Sequence, residues 1–246
     1  MPRPSRFPLT DLPLHVVQRG NDRRRCFFED GDFRFYLRAL SEAAVRYRVL
    51  VHAYVLMTNH VHLLLTPLVA GGVSRAMQSL GSRYVKRVNA RSGRVGTLWE
   101  SRYRACLVER DSHVLAVCRY IDLNPVRAAM VARPEDYRWS SYAGLAELRQ
   151  DPVITPHAAL EQLGTPRGSR YVVWCGEGIR SEELEHLREA TMRRVRFASS
   201  DTPLTRVRRA VIGRRHRRAA SSHAASWRPA GPARARTAAS RAWPRR

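Results

Sequence analysis

The order of hydrophobic patterns along the 246-residue chain predicts an α+β fold. Its parts are a β-α-β-β-α-β core with an antiparallel sheet, additional C-terminal helices and a disordered basic tail. Three observations predict it. Short alternating or β-branched runs, which read as strands, are interleaved with segments whose apolar residues recur at helical spacing. Met57-Thr58-Asn59, between two strand-like runs, is too short for a crossover, so those runs should pair as an antiparallel hairpin. From about Ser199 onward periodicity disappears, Arg, Ala, Ser, Pro and His dominate, and Asp201 is the one acid left. Such a segment cannot bury enough apolar surface to fold.

Taken in order, Leu14 to Arg19 alternates and stops at Gly20-Asn21-Asp22, a strand and its turn. Asp30 to Tyr47 sets Phe33, Leu37, Leu40, Ala44 and Tyr47 on one helical face. Val49 to Leu56 is the second strand and His60 to Thr66 the third. A helix over Ser74 to Asn89 aligns Met77, Leu80, Tyr84 and Val88, and Leu98 to Val108 reads as a fourth strand. This order is the ferredoxin-like arrangement, with both helices on one sheet face and the other face left for a ligand or another element. Asp111 can cap a helix through Leu123, and Val126 to Val131 reads as a short helix after Pro125. Pro152 to Leu163 reads as a small helix, Tyr171 to Trp174 as a short strand, and Ser181 to Phe197 as a charged helix. Three parts are expected: a core domain over 1–145, a helical extension over 146–198, and a tail over 199–246.

At 44% hydrophobic residues the chain can bury a substantial core, and its net charge of +23 suits a polyanionic partner. Lys86 is the only lysine, and the arginine fork matches phosphate geometry. A GC-rich coding sequence would also raise arginine and alanine. Cys26, Cys106, Cys118 and Cys175 are scattered, which argues against a zinc ribbon, a thioredoxin-like motif or a disulfide scaffold. No apolar run is long enough to span a bilayer and the N-terminus lacks a signal-peptide core, so a cytoplasmic protein is expected. The chain has no Gly-rich nucleotide loop of the G-x-x-x-x-G-K-[ST] kind, so no nucleotide cofactor is expected. It also has no evident carboxylate cluster for two-metal chemistry.

The chemistry-bearing residues are few. His60 and His62 flank Val61 on the third strand and therefore point the same way. Two imidazoles on a rigid element are a natural start for a divalent-metal site, although a pair of hydrogen-bonded histidines is the plainer alternative. Tyr120 and Asn124 are four apart and would share a helical face. Singly, each has a structural role open to it: Tyr120 as core, and Asn124 as the N-cap of a helix begun by Pro125. His15, His52, His113 and His157 have no comparable partners and read as structural. Arg19, Arg23 and Arg24 follow the first strand, Arg83, Lys86 and Arg87 lie on the second helix, and Arg102 and Arg104 flank Tyr103. These could contact DNA phosphates, or could be no more than a solvated face.

Four stretches together carry a family resemblance: Ala53 to Leu64, Trp99-Glu100-Ser101-Arg102-Tyr103, Arg119 to Ala128, and Trp139-Ser140-Ser141-Tyr142. In this order the chain closely resembles the single-tyrosine HUH transposases of the IS200/IS605 type, and most closely the REP-associated tyrosine transposases. The resemblance runs from about Arg3 to Tyr142 and is absent from the arginine tail. It implies that residues 1–145 form an HUH transposase domain with a ferredoxin-like core. His60, His62 and Asn124 would be metal ligands, for Mg2+ or Mn2+, where two imidazoles alone would equally suit Zn2+. Tyr120 would be the nucleophile. The implied activity is metal-dependent cleavage and rejoining of single-stranded DNA, at hairpins such as palindromic repeats, through a 5′-phosphotyrosine intermediate. A monomer with the site complete in one chain is the expectation, a dimer remaining open. The alternative is a non-catalytic, sequence-specific DNA-binding regulator derived from a transposase.

Overall fold

The structure is a computed structural model that describes residues 10–192; the expected tail and residues 193–197 of the last expected helix lie outside the described residues. Four strands, β1 (Leu14–Arg19), β2 (Val49–Leu56), β3 (His60–Pro67) and β4 (Arg104–Leu107), form an antiparallel sheet in the order β2-β3-β1-β4. Helices α1 (Asp30–Arg46) and α2 (Gly72–Ser92) pack on one face, completing the β-α-β-β-α-β core. Between them and the sheet Phe27, Tyr36, Leu40, Leu80 and Tyr84 are buried in a ring-rich core. The other face, which the expected arrangement leaves for a ligand or another element, is crossed by α3 (Asp111–Asp122), which packs on β2 and β3. Its buried stripe of Val114, Val117, Cys118 and Ile121 explains why: an apolar helix face is more stable covered than wet. The chain continues through α4 (Asn124–Arg127), α5 (Tyr142–Leu145), α6 (Arg167–Gly176) and α7 (Ser181–Met192), the last packing on β1 and β4. No described helix is long and apolar enough to cross a membrane.

Several elements differ from expectation. The fourth strand begins at Arg104 rather than Leu98, because the Thr97 hydroxyl bonds both the N–H and the carbonyl of Trp99. That local loop competes with the ladder, and the Trp99 ring turns into the aromatic core beside Tyr84 and Tyr36. Arg110, not Asp111, is the N-cap of α3, and Asp111 is its first residue. Pro152 to Leu163 contains only a 3-10 turn over Ala158–Leu163, since Thr155 is held extended beside β2 by its N–H bond to the Val51 carbonyl. Tyr171 to Trp174 lies within α6 and is not a strand: Gly168, Tyr171 and Cys175 are buried at helical spacing, while Val173 faces solvent. The short helix expected over Val126 to Val131 ends at Arg127.

His52 occupies a bulge of β2. Its Nδ1–H donates to the Thr155 carbonyl (2.7 Å), and Nε2 accepts from the Thr66 hydroxyl (2.8 Å). Burial pushes its pKa down to about 4, and nearby His157 adds to this. In the unfolded chain the ring titrates near its ordinary value of about 6.5. Its contribution to stability is therefore full above pH 6.5 and is lost as pH falls through 4, a difference of up to about 3 kcal/mol. Urea unfolding at pH 7 and pH 4 should show this loss, and His52→Gln should reduce it relative to wild type.

Candidate active site

The register of β1 and β3 builds the site. Arg19 lies opposite His60 and Val17 opposite His62, so these four side chains share the sheet face that α3 covers. Tyr120, on the last turn of α3, packs edge-on against His62 with ring centroids 5.6 Å apart, and against His15 at 5.9 Å. The His60 and His62 rings are 5.0 Å apart. Histidines and tyrosine thus meet within one chain.

A chain of bonds orients the imidazoles. Gly20 ends β1 where a Cβ would come within 2.3 Å of the Arg24 carbonyl, and its N–H bonds Asn59. The turn that follows presents the Arg23 carbonyl to the Asn59 amide NH2 (3.0 Å). Asn59 Oδ1 is thereby aimed at His60 Nδ1, 2.6 Å away. A carbonyl oxygen only accepts, so His60 Nδ1 carries the proton and the neutral ring keeps a lone pair on Nε2. His62 Nδ1 lies 2.9 Å from His15 Nε2, the two rings stacked. With the His62 Nδ1–H donated to His15, the His62 Nε2 lone pair is likewise available. Burial pushes His15 and His60 down to about 4, with Arg19 adding to the effect on His60. His62 is lowered well below its ordinary value by burial, and then by His15, His60 and the arginines. The imidazoles are neutral near pH 7, the form that binds metal.

Asn124 is the first residue of α4, and Leu123 occupies the N-cap. The capping role open to Asn124 is therefore not the one it fills. Its side chain reaches back instead, Nδ2 donating to the Tyr120 carbonyl (2.9 Å). With Nδ2 committed, Oδ1 is the atom it can offer to a cation. Among the described residues no group of three or more His, Cys, Asp or Glu is placed to hold a metal. The set that fits is two imidazole Nε2 atoms and an amide oxygen, a mixed donor set suited to Mn2+ or Mg2+.

His60, His62, Tyr120 and Asn124 line one cavity of about 400 Å³. Its walls carry Arg19, Arg23, Arg102 and Arg104, with Glu100 as the one acid among the lining residues. Arg24 is exposed outside that lining. Arg83, Lys86 and Arg87 belong to α2, which packs against the Gln18 side of the sheet, opposite the histidines. There Arg83 pairs with Glu42, and the Arg87 guanidinium sits 4.8 Å from the Phe35 ring centroid. Three residues of the site were missed in the sequence. His15 was read as structural, yet it holds His62. Arg127 places its guanidinium 4.7 Å from the Tyr120 ring centroid. It lies seven residues after Tyr120, two helical turns along the same face, a signal that could have found it. Arg188 reaches the cavity wall from α7, and no local pattern marks it.

Fold and cavity together define a ferredoxin-like α+β protein with a neutral histidine pair and a tyrosine inside an arginine-walled pocket. Residues 9–124 match the family model described as "Transposase IS200 like", a match that ends on Asn124 itself. Over this segment, a little under half of its length, the chain is similar to the IS200-like transposases. Among solved structures, it is similar to "Structure of the REP associates tyrosine transposase bound to a REP hairpin", with a TM-score of 0.51 and 15% identity. That superposition covers 65% of this chain and 96% of the other, a likeness of fold. No curated protein matches the sequence.

Proposed function

We propose that the chain cleaves and rejoins single-stranded DNA folded as a hairpin, with Tyr120 as nucleophile. The observation that carries this reading is the packing of the Tyr120 ring against His62 in a cavity shared with His60 and Asn124 and walled by arginine. Tyr120 Oη attacks the scissile phosphorus in line, forming the Oη–P bond as the P–O3′ bond breaks. The phenolic proton leaves and the 3′ oxygen gains one. The products are a 5′-phosphotyrosine and a free 3′-hydroxyl, and because the bond energy is kept, a second 3′-hydroxyl can reverse the step and join a new strand. His60 and His62 through Nε2, and Asn124 through Oδ1, would hold Mn2+ or Mg2+. When bound, that cation supplies Lewis-acid polarisation of the phosphate. Arg127, over the phenol ring, fixes Tyr120 and adds positive charge where negative charge develops.

Arg19, Arg23, Arg102 and Arg104 line the entrance for the strand, and Arg24, Arg83, Lys86 and Arg87 would take only outlying phosphates. The bound hairpin of the structural neighbour supports a hairpin as substrate. That His60, His62, Tyr120 and Asn124 line one cavity of a single chain supports a monomer acting in cis. Incubation with labelled hairpin DNA and Mn2+ tests the reading: a covalent adduct that survives denaturation is expected. Binding with no adduct would instead favour a regulator derived from a transposase. In the same assay Arg104→Ala should weaken binding across sequences alike, and lower the slope of log affinity against log salt by about one. An unchanged slope would remove Arg104 from the phosphate track.

A further inference from the structure

We propose, building on Tyr120 as the nucleophile, that residues 141–183 clamp the tyrosine helix in place, with Arg119 and Asp122 as the positioning residues. These two ionisable side chains flank Tyr120 on α3 and are almost wholly buried, at 4% and 0% exposure. At about 100° per residue both project away from the side of the helix that carries Tyr120. They reach into the layer after Asn124, beyond the segment that matches the transposase family.

Each is held by more than one partner. Arg119 Nη2 bonds both carboxylate oxygens of Glu183 (3.1 and 2.9 Å), Nη1 bonds the Trp174 carbonyl (3.2 Å), and the guanidinium lies 3.8 Å from the Trp174 ring centroid. Asp122 accepts from the Ser141 hydroxyl (2.6 Å) and from the Tyr171 hydroxyl (2.7 Å). A buried charge such as Arg119 is costly unless paired, and a buried polar group such as the Asp122 carboxyl is costly without its hydrogen bonds. Two such anchors, three residues apart and fastened to α5's preceding loop, α6 and α7, oppose both rotation and sliding of α3. Either motion would carry the Tyr120 hydroxyl away from the histidines. The same α7 that bears Glu183 sends Arg188 to the cavity wall, so the clamp and the site share an element.

Misplacing a reacting group by about 1 Å costs up to about a hundredfold in rate. Tyr171→Phe removes one of the two bonds that hold Asp122, and Glu183→Gln removes the charge of the carboxylate that holds Arg119, each with the shape kept. Glu135→Gln, which breaks the exposed pair with Arg133 in the same layer, is the control. Each variant is compared with wild type for hairpin affinity, for adduct rate at saturating DNA with Mn2+, and for hydrogen exchange of residues 114–122. Expected for both clamp variants is affinity within about twofold, an adduct rate at least about tenfold lower, and faster exchange in α3 with β1 and β3 unchanged. The control should match wild type throughout. A clamp variant with the wild-type rate or the wild-type α3 exchange overturns the inference, as does an equal rate loss in the control. If wild type itself forms no adduct, the nucleophile reading fails. Exchange then decides the clamp alone, and unchanged protection of α3 in the variants overturns it.

Discussion

Tyr120→Phe should abolish the covalent protein–DNA adduct while leaving hairpin binding within about twofold of wild type. The substitution removes one oxygen and keeps the ring that packs against His62 and His15, so the cavity should hold its shape. What disappears is the only atom proposed to bond phosphorus. Losing a covalent nucleophile typically costs on the order of 10⁴-fold or more. A denaturing gel of labelled hairpin with Mn2+ reads the result directly. Cleavage that persists in the variant would point to water as the attacking group and return Tyr120 to the core.

The second large effect is expected at the histidines. His60→Ala and His62→Ala should each slow adduct formation at least about a hundredfold, by removing a ligand from the proposed cation site. Excess chelator should do the same to the wild type, and added Mn2+ should restore it. His15→Ala is more informative, because His15 is no proposed ligand yet bonds His62 Nδ1, besides meeting the Tyr120 ring edge-on. Losing the partner that orients a ligand costs about 10–100-fold in metal affinity. The Mn2+ concentration for half-maximal rate should therefore rise in His15→Ala. A variant with an unchanged Mn2+ requirement would contradict a metal at His62. These tests separate ligand, orienting group and nucleophile, which the resemblance alone cannot do.

Much of the fold was legible because local and tertiary preferences agree. The β2–β3 hairpin combines β-branched strands with a connection too short for anything else, and both strands form where expected. The α2 stripe of Met77, Leu80, Tyr84 and Val88 is buried as its spacing requires. Elements went unread where a distant partner outweighs local propensity. Tyr171-Val172-Val173 looks like a strand, yet the buried bond from Tyr171 to Asp122, 49 residues away, favours the helical spacing of α6.

The site shows the same division. Alternation puts His60 and His62 on one face and helical spacing puts Tyr120 with Asn124, while their proposed roles come from the resemblance. Neither pattern picks out His15, since its partner lies 47 residues away and is set by the β1–β3 pairing. The arginines divide by sheet face. Sequence periodicity shows that Arg83, Lys86 and Arg87 are outside the core, but only the packing of α2 reveals that they are on the far side from the histidines. Whether Asn124 caps α4 turned on one bond: a cap would have used its side chain on the following turn, and instead its NH2 is spent on the Tyr120 carbonyl.

The most direct measurement is the position of the phosphate on the protein. After reaction with a short single-stranded hairpin and Mn2+, nuclease trimming and trypsin digestion, the peptide from Tyr120 to Arg127 should be recovered with one nucleotide 5′-phosphate on Tyr120. The released strand should carry a free 3′-hydroxyl. A phosphorylated nucleotide on any other residue, or cleaved DNA with no modified peptide, would contradict Tyr120 as the nucleophile.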